Sequence, residues 1–229
     1  MKERAIAVPA QATIGSTSIQ LAPDIARVLR NTYALLAMTL LFSATCAAVS
    51  VALKLPHPGL LLTLAGYFGL LFAIHRFRNQ ALGIGLVFAL TGFMGVTLGP
   101  MLSNILAMPG GAATVVQALG LTGAVFIGAS AWILVTRKNL STMGTLLFAG
   151  VLVAFLAGLA AIFFELPALS LAVSGIFALL MSMMIAYETS AIIHGGERNY
   201  VLATVSLFAA VFNLFASLLQ LPGIGIGDE

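Results

Sequence analysis

Charge is what this chain of 229 residues has least of. Asp, Glu, Lys and Arg together make up 7% of it, and aspartate occurs only as Asp24 and Asp228. A soluble domain carries roughly 25% charged residues. Ten basic and seven acidic side chains cannot build the polar shell that an apolar core of this size needs in water. A soluble enzyme, a nucleic-acid-binding domain and a disordered chain are thereby excluded. Cysteine is also nearly missing: Cys46 stands alone, which excludes an intrachain disulfide and a thiolate metal cluster.

Catalytic groups are equally sparse. His57, His75 and His194 lie in three separate loops or helix ends, so the pair of histidines one turn apart that holds zinc in a membrane metalloprotease is missing. No apolar segment has a central histidine to serve as base for a nucleophile. Gly225-Ile226-Gly227-Asp228 spells the glycine–Asp motif of intramembrane aspartyl proteases, but its only possible partner is the distant Asp24. No phosphate loop or haem site is found either. The expectation is a protein that is not an enzyme and needs no cofactor.

Apolar residues, by contrast, make up 61% of the chain, with 23 glycines besides. The solvent, and first partner, is the lipid bilayer. Crossing it takes about 20 mostly apolar residues, and seven stretches qualify, at 32–54, 58–75, 80–106, 112–136, 140–164, 168–193 and 199–221. The expected fold is an all-α membrane protein, a seven-transmembrane helix bundle. Residues 1–30 are expected to be a flexible cytoplasmic tail with a short amphipathic end, 31–221 the seven-helix membrane domain, and 222–229 a short C-terminal tail. Gly99-Pro100 is expected to kink or break the third helix, because proline lacks a donor and clashes with the preceding turn. Gly95 and Gly99, like Gly150, Ala154 and Gly158, are small residues four apart and read as helix-packing faces.

Positive charge sets the expected orientation. Lys2, Arg4, Arg27, Arg30, Arg76, Arg78, Arg137, Lys138 and Arg198 fall at one end of the bundle and Lys54 alone at the other. The positive-inside rule then places the N-terminus in the cytoplasm and the C-terminus on the periplasmic side.

A polar group inside hydrocarbon is costly, so its position is informative. The sixth stretch carries one carboxylate, Glu188. The seventh carries Asn199, Ser206, Asn213, Ser217 and Gln220 at spacings that align them on one helical face, which places this helix in the middle of the bundle. The plainer account of such a stripe is interhelical hydrogen bonding; the sharper one makes Glu188 an ion or proton site with Ser206, Asn213 and Ser217 as polar partners. Met181 and Met184, on the face of Glu188, read as packing.

The run from Tyr187-Glu188-Thr189-Ser190 through His194-Gly195-Gly196-Glu197-Arg198-Asn199-Tyr200 to Asn213-Leu214-Phe215 resembles the Bax inhibitor-1 superfamily, more narrowly its bacterial YccA branch. Arg30-Asn31-Thr32-Tyr33, the stretch from Gly92 to Pro100 and Thr136-Arg137-Lys138-Asn139-Leu140-Ser141 match the same branch, so the resemblance spans essentially the whole chain. It implies an inner-membrane bundle whose last helix is surrounded by the other six. It also implies a substrate and modulator of the membrane-anchored protease FtsH, acting in membrane-protein quality control. Alternatively it implies a pH-sensitive calcium or proton leak latched by two carboxylates. Glu188 falls on the first carboxylate position and Ala210 on the second, so the dyad lacks a partner. Calcium at Glu188 alone is expected to bind weakly, since hard cations take six to eight oxygens.

Overall fold

The structure, a computed structural model, describes residues 23–221. The expected tails at 1–22 and 222–229 lie outside the described residues. Seven helices follow one another: α1 Pro23–Ala52, α2 Leu60–Phe77, α3 Ala81–Leu106, α4 Gly111–Thr136, α5 Gly144–Phe163, α6 Pro167–Ile193 and α7 Tyr200–Gln220, with a 3₁₀ turn at Ser141–Met143 before α5. All seven are long and apolar enough to cross a membrane. Proline opens α1 and α6, where its missing donor costs nothing and its fixed φ fits the first turn. The amphipathic stretch that begins at Asp24 is continuous with α1, because no breaker separates it from the apolar run.

Large apolar side chains face outward as well as inward. Leu61, Phe72, Val135, Phe148 and Phe163 are exposed on the outside, whereas Thr39, Thr122, Thr189 and Thr204 are buried between helices. Each of these threonine hydroxyls donates to a carbonyl three or four residues earlier on its own helix, so none of the four is left unpaired in the bundle.

The most extensive packing joins α1 to α3, and its cause is small residues. A Cβ at Gly92 would strike the Phe42 ring, one at Gly95 the Ser43 carbonyl, and one at Gly99 the Ser50 hydroxyl. Such a surface lets two backbones approach closely. The expected break at Pro100 does not occur, and α3 runs through it to Leu106. Proline deprives the carbonyl four residues earlier, that of Val96, of its donor. The Ser50 hydroxyl of α1 supplies one at 2.9 Å, so the interface repairs the helix. On α5, Gly150 receives Leu180 and Gly158 lies against Val173, making the expected packing face toward α6.

α7 is the most buried helix and α2 the least. α7 packs on α6, α1, α4 and α3. The enclosing wall is therefore four helices and not six, since α2 is held chiefly by α3 and α5 chiefly by α6. A cleft between α2 and α5 leads inward past Tyr67 and Phe155 to Phe212 and Asn213 of α7.

Two helix ends at the same end of the bundle are closed by a charged residue in the left-handed region, Lys54 (φ 51°) after α1 and Glu165 (φ 52°) after α5. Around Lys54 the Schellman pattern is complete: its N–H donates to Val51 O (3.1 Å) and that of Leu55 to Ser50 O (3.0 Å). Glycine is usual there, and a side chain costs roughly 1–2 kcal/mol.

Candidate functional site

The C-terminal turns of α6 present four consecutive side chains to four different neighbours, as 100° per residue requires. Tyr187 fills the space over Gly144, where a Cβ would fall 2.6 Å from its hydroxyl. Glu188 faces α7 across a pocket that it shares with Ser206. Thr189 Oγ1 donates to the Ile185 carbonyl at 2.9 Å, which leaves its lone pairs to accept from Tyr33 of α1 (3.2 Å) and Ser130 of α4 (3.4 Å). Ser190 Oγ donates to the Lys138 carbonyl (2.9 Å) and accepts from the Leu140 N–H (3.0 Å). The loop between α4 and α5 is thereby tied to α6.

His194 completes that clasp. Its Nδ1 lies 2.9 Å from the Ser190 carbonyl and its Nε2 3.1 Å from the Arg137 carbonyl. Both neighbours are acceptors, so a ring carrying two protons satisfies both contacts and a neutral ring only one. Gly195 then turns the chain with φ +73°, the left-handed step that ends α6.

Asn199 has a role that spacing alone does not reveal. Its Oδ1 accepts from the N–H groups of Val201 (3.0 Å) and Leu202 (3.2 Å), which caps α7. Its Nδ2 donates to Asn79 Oδ1 (2.8 Å) and the Arg78 carbonyl (3.3 Å) across the bundle end. Glu197 Oε1 accepts the Asn199 N–H at 2.7 Å. An asparagine directly before an apolar helical run is an N-cap signal, and that signal was available in the sequence. Asn199→Ala is expected to cost about 1–2 kcal/mol of stability, read as a lower midpoint of thermal unfolding in detergent. Asn199→Asp keeps the cap and loses only the Nδ2 contacts, so it should recover part of the loss.

These residues enclose a pocket of about 350 Å3 at the arginine-rich end of the bundle, lined by Asn139, Tyr187, Glu188, His194, Glu197 and Ser206 among others. Of the polar partners expected for Glu188, Ser206 lines the same pocket. Asn213 lies two turns further along α7, donates to its own Ala209 carbonyl at 2.8 Å and lines the cleft between α2 and α5. Ser217 is buried a further turn away. Gln220, at the far end, meets Ser174 of α6 at 3.1 Å. Tyr200 packs against the apolar core and Ala210 is buried within it. Met181 also belongs to that core, with Met184 packed against it. No group of three or more metal-ligating side chains is found among the described residues.

Fold and site together define an integral membrane protein with a central helix and a polar pocket at its arginine-rich end, where hydrogen bonds tie the α4–α5 loop to α6. A profile of the Bax1-I family, described as inhibitor of apoptosis-promoting Bax1, matches residues 25–227, and the chain belongs to this Bax inhibitor-1 family. It is 48% identical over 202 residues to the Escherichia coli K12 protein named modulator of FtsH protease YccA, covering 88% of this chain and 92% of that one. An uncharacterised protein of Pseudomonas aeruginosa is 48% identical over 206 residues, 90% of this chain and 93% of the relative. One of Pasteurella multocida is 50% identical over 186 residues, 81% and 84% of the two chains. A further relative, from E. coli O6:H1, is named inner membrane protein YccA. With seven spanning helices, this chain is a multi-pass inner-membrane protein of the same kind.

Proposed function

We propose that this protein modulates the membrane-anchored protease FtsH in membrane-protein quality control, acting by binding and not by catalysis. The observation that carries this reading is likeness along nearly the whole chain to a protein named as a modulator of that protease. Coexpression with FtsH tests it. Turnover of a membrane client should slow when this protein is raised, and unchanged turnover sinks the reading.

The orientation we propose has the N-terminus and the loops bearing Arg76, Arg78, Arg137, Lys138 and Arg198 in the cytoplasm, supported by the positive-inside rule. This places the pocket and the N-terminal segment on one side. In a Cys46→Ala background, a cysteine introduced at Asn79 should resist an impermeant thiol reagent in intact cells, and one at Met108 should react. The reverse pattern inverts the topology.

A second reading, a pH-sensitive calcium or proton leak, is favoured by the pocket in which Glu188 of α6 lies with Ser206 of α7. In this reading a protonated Glu188 is neutral within the bundle, whereas the ionised carboxylate accepts a hydrogen bond from the Ser206 hydroxyl and attracts a cation. Glu188→Gln keeps the shape and a donor but cannot ionise, so it should abolish any pH response of flux in liposomes between pH 6 and 8. Ala210→Asp restores a second carboxylate one turn from Ser206 and should raise calcium sensitivity. Identical flux from parent and both variants makes Glu188 a structural residue.

A further inference from the structure

We propose that the groove between α1, α3, α4 and α7 is a phospholipid site. It takes one acyl chain of an anionic phospholipid, whose phosphate rests against Lys54. Two adjoining cavities define the occupant. The first, of about 600 Å3, has walls of Ala44 and Ala48 on α1, Leu102 on α3, Leu119 and Gly123 on α4, and Phe212 on α7. No charged side chain lines it. Its volume falls in the range of ligand pockets, about 300–1,000 Å3. Ala44, Ala48 and Leu119 are exposed, so the groove faces the bilayer.

The second cavity, of about 500 Å3, lies where the connections α1–α2 and α3–α4 meet, and it is polar: Lys54, His57, Ser103 and Asn104 line it. Val51 and Leu106 line both cavities, so an apolar slot at membrane depth opens directly into a cationic one at the membrane surface. A phospholipid has that sequence of chemistry along its length.

The polar slot has unused capacity. Neither Lys54 nor Asn104 makes a side-chain hydrogen bond or ion pair among the described residues. His57 Nδ1 accepts the Gly59 N–H at 2.9 Å, which in the neutral ring puts the remaining proton on Nε2 as a free donor. Lys54 also occupies the left-handed position where glycine would fold more easily, and strain retained at one place points to a use for the side chain. In the orientation proposed above, this is the outer leaflet of the inner membrane. The proposal itself needs only that the bundle spans a bilayer.

Native mass spectrometry of the full chain tests it, with phosphatidylglycerol and phosphatidylethanolamine of equal chain length added to the detergent-purified protein. The parent should retain one phosphatidylglycerol about fivefold more than phosphatidylethanolamine, the factor that one lysine near an anionic surface supplies. Lys54→Gly removes the cation and relieves the backbone, so its loss of preference cannot come from misfolding. Gly123→Phe, at a position where an added Cβ meets nothing within 4 Å, fills the slot and should reduce retention of both lipids. Equal retention of the two lipids by parent and Lys54→Gly overturns the proposal. So does unchanged retention by Gly123→Phe, or a copurified peptide or second copy of the chain in place of lipid.

Discussion

Gly95→Leu is expected to abolish recovery of a monodisperse protein, while Gly85→Leu on the same helix leaves recovery unchanged. The contrast isolates packing from propensity. Both substitutions replace glycine within α3, which alone favours the helix by about 1 kcal/mol. At Gly85 an added Cβ meets nothing within 4 Å; at Gly95 it meets the carbonyl group of Ser43, with the carbonyl carbon 3.0 Å away. A backbone carbonyl in the middle of α1 cannot rotate aside as a side-chain tip can. The helices must separate, and Ser50 then leaves the Val96 carbonyl beside Pro100 without a donor. Overpacking a tight contact costs about 1–3 kcal/mol, and the lost interhelical hydrogen bond adds roughly 0.6 kcal/mol in a membrane. Fluorescence-detected size exclusion reads the result. Equal, sharp peaks for both variants would show that the α1–α3 contact does not hold the bundle together.

Deleting residues 2–20 is expected to lengthen the lifetime of the protein several-fold in cells that contain FtsH, and to leave its amount unaltered in cells that lack it. The proposal rests on composition: Pro9, Gln11, Thr13, Gly15, Ser16, Thr17 and Ser18 interrupt any apolar periodicity, and an unfolding protease starts from a segment that cannot fold by itself. The deletion stops short of Pro23, where the described part of α1 begins, so all the described helices are kept. Pulse–chase after blocking synthesis measures the lifetime. An unaltered lifetime removes the N-terminal segment as the point of engagement and leaves the modulator reading to stand on the client-turnover experiment.

The two experiments address features of different legibility. Gly95 and Gly99 announced a packing face through their spacing, yet spacing does not name the partner. That α1 lies on this face, and that Ser50 repairs the turn broken by Pro100, depends on atoms 46 residues apart in the chain. The same limit appears along α7. Ser206 and Asn213 share a helical face, but seven residues separate them by about 10 Å along the axis, so only the first lines the pocket of Glu188. Periodicity gives direction around a helix; depth relative to a neighbour comes from packing.

The sequence by itself determined that this protein lives in lipid, that seven helices cross it, and that the sixth carries a carboxylate and the seventh a polar stripe. Hydropathy acts residue by residue, and a backbone in hydrocarbon has no alternative to the helix. Tertiary structure alone decided that four helices enclose α7. It also tied Asn199 to the α2–α3 loop, and it set the lone lysine of its end beside an apolar groove. Those outcomes depend on which side chains meet across helices, and interlocking shape and paired donors and acceptors settle that only once the bundle has closed.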